Sequence, residues 1–178
     1  MKDVTEKLET LLRFSLVYAF ILLFFILNVI GASSSHTDAL EIPFILMFIY
    51  YWSIYRPLLI PPILAFLIGL TFDLLSGLPV GLSSFLFVLV RQLTSEQRIF
   101  LSSQTFFVVW LGFMVVCASG ILIQWTLFGL VNLEWPPIEP PLRVIVIGII
   151  LFPLISLFLN LSHKILPDVQ GEYAAVNS

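Results

Sequence analysis

Charge is scarce in this sequence. Eight Lys/Arg and eleven Asp/Glu make up 11% of its 178 residues, against roughly 25% in an ordinary soluble domain. The net charge is −3 and no basic cluster occurs, so nucleic acid is not an expected partner. A single cysteine, Cys117, rules out an internal disulfide. It lies in an apolar segment and reads as a small core residue rather than a reactive thiol. His36 and His163 sit in separate flanks with no Cys or carboxylate at ligand spacing, so no metal site is expected. No Ser/His/Asp order, HExxH, P-loop or paired-carboxylate pattern occurs. The chain therefore offers no catalytic residue and no cofactor site, and is not expected to be an enzyme.

What the sequence has is apolar surface. Hydrophobic residues make up 60% of it, with 17 Phe. A soluble chain of this size cannot hide that much, so the bilayer is the expected solvent. The expectation is a single polytopic, all-α membrane domain over 1–178, with crossings near 12–30, 40–56, 58–76, 82–93, 106–131 and 144–161 and a flexible tail at 165–178. A cleaved signal peptide competes for the first segment, because Gly31-Ala32-Ser33 is small. Its apolar run exceeds the usual ~7–15 residues and three acids precede it, which favours a crossing.

The second crossing ends in YYWSIYRP, where Tyr51, Trp52 and Arg56 read as anchors at the cytoplasmic membrane–water interface. Pro61-Pro62 falls in the first turns of the third, where a missing N–H costs little. The fourth is short, and Arg91 is expected to snorkel toward headgroups or the bilayer to thin. TSEQR (94–98) reads as a polar loop and NLEWPPIEPPL as a stiff, extended one. Pro153 is expected to kink the sixth crossing.

Orientation follows the Lys/Arg bias. With six crossings, Lys2, Lys7, Arg13, Arg56, Arg91, Arg98 and Lys164 share one side and only Arg143 lies on the other. Both termini are therefore expected in the cytoplasm. Asp38, Glu41, Glu134 and Glu139 make the outer face acidic.

Asp73 stands out. It is the one charged residue between Leu58 and Val90, one turn before the outer end of the third crossing. A carboxylate in lipid costs at least ~2.5 kcal/mol, and a helix C-terminus repels negative charge. The fourth helix starts just beyond Gly81, where its first N–H groups lack partners. Asp73 is expected to accept hydrogen bonds there, beside Ser83 and Ser84. Gly77 and Gly81 would let the backbones approach and Pro79 would stiffen the turn. Three roles remain open for Asp73: hairpin clamp, polar group for docking a partner, and proton or ion relay. Arg143 is a candidate ion-pair partner. Gly77-x-x-x-Gly81 matches a helix-packing pattern, but its proline places it in a turn.

YYWSIYRP followed by GLTFDLLSGLPVGLSSFLFVLV resembles the bacterial rod shape-determining MreD family. The family's signature falls here on Gly69, Asp73, Leu74, Leu75, Ser76, Gly77, Pro79 and Gly81. The close resemblance covers roughly 45–95, and the rest agrees in hydropathy, length and crossing number. It implies a non-enzymatic component of the elongation machinery in the bacterial inner membrane, working with MreC, MreB and the elongation-specific peptidoglycan glycosyltransferase and transpeptidase. It also implies a fold similar to the substrate-binding subunits of energy-coupling-factor transporters. The longer polar tail and the double proline Pro61-Pro62 depart from the commonest pattern without touching the signature.

The alternative reading is a solute-binding, vitamin-type subunit of such a transporter. That role calls for polar side chains from several helices, and the chain offers few: Asn28, Asp73, Gln124 and Glu41. The first apolar segment also lacks the Ala-x-x-x-Ala pattern of those subunits. No small-molecule substrate is therefore expected.

Overall fold

The structure is a computed structural model that describes residues 42–165, with side chains to residue 160, together with Leu22, Leu23, Phe25, Ile26 and Asn28 of a preceding helix. The described residues are all-helical, with no strand. Most of the expected first crossing, the loop after it and the tail beyond residue 165 lie outside them.

Six helices follow one another: α1 (Phe44–Tyr55), α2 (Pro62–Ser76), α3 (Leu82–Glu96), α4 (Arg98–Ser103), α5 (Phe106–Asn132) and α6 (Glu139–Ile165). Prolines set several of these limits. Pro43 stands at the N-cap of α1, and the Arg56 N–H closes its end on the Trp52 carbonyl at 2.8 Å. Pro61 is extended, with φ −63° and ψ 155°, so α2 starts at Pro62 rather than near 58. A proline at that first helical position gives up only an N–H that has no intrahelical partner.

Polar segments fold further than their composition suggests. TSEQR is helix and elbow, not loop. α3 runs on to Glu96, and the ladder passes the bend through Gln97 N–H to Leu93 O at 3.3 Å and Leu101 N–H to Gln97 O at 3.0 Å. Gln and Glu are good helix formers on a wet face, while Thr94 and Leu101 are buried beneath. The proline-rich segment is likewise only partly extended. Glu139-Pro140-Pro141 form the first turn of α6, so that helix starts well before 144.

α1 occupies the middle and packs against α3, α4, α5 and α6. Every residue from Ile45 to Ile54 is buried. The Tyr50 hydroxyl donates to the Val109 carbonyl at 3.0 Å. Its ring meets Phe113 edge-on at 5.5 Å, and Phe113 stacks on Phe152 at 4.1 Å. α5 and α6 are joined further by Trp110 Nε1, which donates to the Ile149 carbonyl at 3.0 Å.

Tyr51 and Trp52, expected as interface anchors, belong to this core. They are 4% and 1% exposed, and pack on each other at 5.8 Å and on Tyr55 and Phe48 at 4.6 and 5.9 Å. An aromatic cluster at a helix end suits a headgroup layer and a bundle interior equally. The central position of α1 decides for the interior. Arg91, expected to snorkel, instead donates from Nε to the Ile60 carbonyl at 2.9 Å and from Nη2 to the Pro57 carbonyl at 3.4 Å. It ties α3 to the turn between α1 and α2. Pro61 has no N–H to give the Pro57 carbonyl four residues before it, and the Leu64 N–H goes to the Pro61 carbonyl rather than to Ile60.

Candidate functional site

The turn from α2 into α3 is built around Asp73. α2 ends because Gly77 takes a left-handed conformation, φ 69°, which a glycine enters without a Cβ penalty. Asp73 closes that end with its own backbone: the Gly77 and Leu78 N–H groups both donate to its carbonyl, the latter at 3.1 Å. Pro79 contributes the next link, its carbonyl accepting the Leu82 N–H at 3.2 Å. Gly81, φ 99°, is the N-cap residue of α3.

The Asp73 side chain then reaches across the turn. The Gly81 N–H donates to Oδ2 at 2.9 Å, and the Ser83 N–H lies 3.0 Å from Oδ1 and 3.1 Å from Oδ2. These belong to the first N–H groups of α3, which have no partner within the helix. An acid normally caps a helix from the position just before it. Here the cap comes from the preceding helix, so one residue terminates α2 and starts α3. A carboxylate at a helix N-terminus also faces the positive end of the macrodipole. Asp73 is 0% exposed, so these bonds operate away from water, where a lost partner costs most.

Close approach of the two backbones makes the reach short enough. A Cβ added at Gly69 would stand 2.5 Å from Ser84 N and 2.8 Å from Ser83 C, both backbone atoms. Only glycine fits this crossing. Phe72 and Phe87 pack beside it, ring centroids 6.3 Å apart.

The sequence-predicted residues thus fall into two groups. Gly69, Asp73, Gly77, Pro79 and Gly81 come together in one turn. Ser76 is its last helical residue, and its hydroxyl oxygen is buried without a hydrogen bond, as is that of Ser84. Arg143 does not join them. It pairs with Glu139 at 3.6 Å, one helical turn away on an exposed stretch of α6, while Asp73 makes no ion pair among the described residues. An exposed arginine meets the nearest acid on its own helix face, and a carboxylate held by backbone amides has no oxygen turned outward. Tyr51 and Trp52 lie near the end of α1 in the core described above, and the half-buried Arg56 is the residue that caps that helix.

One residue outside that set joins the turn. Gln124 of α5 donates from Nε2 to Ser83 Oγ at 3.1 Å. It connects the long apolar helix to the residue whose N–H holds Asp73. Its signal in the sequence is that it is the main polar interruption of an otherwise apolar run.

This arrangement is held by fixed hydrogen bonds between Asp73 and the start of α3. Among the described residues no group of His, Cys, Asp and Glu could hold a metal ion. Residues 8–162 match the family described as rod shape-determining protein MreD. No curated protein and no solved structure matches the chain.

Proposed function

This chain belongs to the rod shape-determining protein MreD family, and on that premise we propose that it is a non-enzymatic organiser of the elongation complex. It would hold MreC, MreB and the peptidoglycan glycosyltransferase and transpeptidase together at the inner membrane. The family makes it a rod shape-determining membrane protein. The six crossings, the cytoplasmic termini and the named partners are our reading.

Several observations support that topology. Two helices, Phe106–Asn132 and Glu139–Asn160, are long and apolar enough to cross a bilayer. α1, with 12 residues, spans only ~18 Å at 1.5 Å per residue, less than the ~30 Å hydrocarbon core. It can still form part of a membrane protein, because its middle, Ile45 to Ile54, is buried in protein rather than set in lipid. The Lys/Arg asymmetry sets the direction, with the Asp73 turn and the proline segment facing outward.

The observation that carries the proposal is the double use of Asp73. A residue that fixes both ends of a turn by hydrogen bonds holds a rigid surface for other helices and does no chemistry. Asp73→Asn keeps one acceptor oxygen and the side-chain size, so it tests the role without emptying the site. We expect that variant, produced at wild-type level in membranes, to retain MreC poorly in co-purification. Full retention by both Asp73→Asn and Asp73→Ala would remove the turn from the assembly function. Labelling of single cysteines at residues 79 and 97 checks orientation, with only the first reached from outside.

A further inference from the structure

The Asp73 turn also forms one wall of a partly open cavity of about 290 Å³. Each longer helix contributes apolar surface to it: Leu46 of α1, Phe72 of α2, Phe87 of α3, Phe128 of α5 and Val144 of α6. Four hydroxyl or amide side chains share the lining: Asn28, Ser76, Ser83 and Gln124.

The two amides are half engaged. An amide has one donating and one accepting end. Gln124 uses Nε2 on Ser83 Oγ, and Asn28 uses Nδ2 on the Ile42 carbonyl. The other end of each amide has no hydrogen bond among the described residues. Turning an amide over exchanges its ends but still leaves one over. The apolar walls have no use for such groups, and a wholly apolar cavity would stay dry and empty. A mainly apolar pocket with a few convergent polar groups is the usual form of a small-molecule site.

We propose that this cavity binds an uncharged amphipathic molecule, its apolar body against the aromatic walls and its hydroxyl or amide group on Gln124 and Asn28. The ligand is uncharged because none of the lining side chains carries a charge. The neighbouring acid, Asp73, has both oxygens on backbone N–H groups. This inference goes beyond the organising role and does not rest on it. The shared chemistry, apolar body plus one neutral polar group, is found in membrane lipid alcohols and glycerides and also in water-soluble solutes.

Trp125 lines the cavity and reports on it. In the purified protein, 11-bromoundecan-1-ol should quench tryptophan fluorescence with a saturable component that disappears in Trp125→Phe. Gln124→Leu should weaken that component about fivefold, the usual worth of one hydrogen bond. Val144→Phe, which fills the space, should abolish it while the melting temperature holds; if that variant does not fold, Gln124→Leu carries the test. Benzamide, an uncharged water-soluble amide, forms the second arm. Saturable quenching without stabilisation by benzamide assigns the ligand to the membrane. A rise in melting temperature with benzamide in the wild type but not in Gln124→Leu, without saturable quenching, assigns it to water. Both effects together support the shared chemistry. Linear quenching unchanged in Gln124→Leu, with no effect of benzamide, means a cavity holding water only and overturns the proposal.

Discussion

α1 and α2 follow each other in the chain, and both are apolar almost throughout, yet they live in opposite surroundings. Ten of the twelve residues of α1 are buried. In α2 only Ala65, Ile68, Gly69 and Asp73 are, while Ile63, Phe66, Leu67, Leu74 and Leu75 stand exposed. α1 is held from all sides by large side chains. α2 is seated chiefly on α3, and the seat is made by a missing side chain at Gly69 and a carboxylate at Asp73. Bulk therefore fixes the hub, whereas small size and hydrogen bonding fix the arm. In lipid, where helix association gains little from hydrophobicity, the second device is the expected one.

That contrast can be broken most severely at the hub. Trp52→Ala, at a site 1% exposed, should cost about 3–5 kcal/mol and lower the thermal unfolding midpoint in detergent more than any change in α2. Asp73→Ala comes next. It leaves the buried Ser83 N–H without an acceptor, at about 1–3 kcal/mol, and the half-buried Gly81 N–H with a smaller loss. Asp73→Asn should recover part of that loss in the same melt.

Gly69→Ala should cost about 1–3 kcal/mol by overpacking, since the new Cβ meets backbone that cannot swing aside. Its signature should be local. Proteolysis at the α2–α3 turn should rise before the Tyr50–Phe113 core loosens, and simultaneous loss of both would mean that α2 is not a separable arm. At the bottom of the scale, Ile63→Ala on the exposed face, 64% accessible, should stay within ~0.5 kcal/mol of wild type. A large loss there would show that another element covers α2.

Much of the fold could be read from residue order. Gly77 and Gly81 around Pro79 mark a turn because glycine alone enters left-handed backbone freely. An acid placed beside that turn has little to bond except the next helix start. The limits of the segments were less legible where two meanings share one composition. Thr94 to Arg98 look like a loop by polarity and are helix and elbow by hydrogen bonding. Glu139-Pro140-Pro141 look extended and open α6, because proline is as welcome in a first helical turn as in a stretched chain. Arg91 and Arg143 carry the same charge, and nothing local says that one binds backbone carbonyls and the other an acid four residues away.

Composition and the spacing of breakers by themselves determined that the described part of this chain is helical, largely apolar and bent sharply beside Asp73, because those properties depend on each residue's own preference for solvent and backbone conformation. Only the tertiary structure decided that α1 lies inside and α2 outside, that Tyr51 and Trp52 face protein, and that Gln124 reaches Ser83. The reason is that lipid tails and a protein interior are equally apolar. Hydropathy cannot distinguish burial in one from burial in the other, and only the packing of one helix against the next separates them.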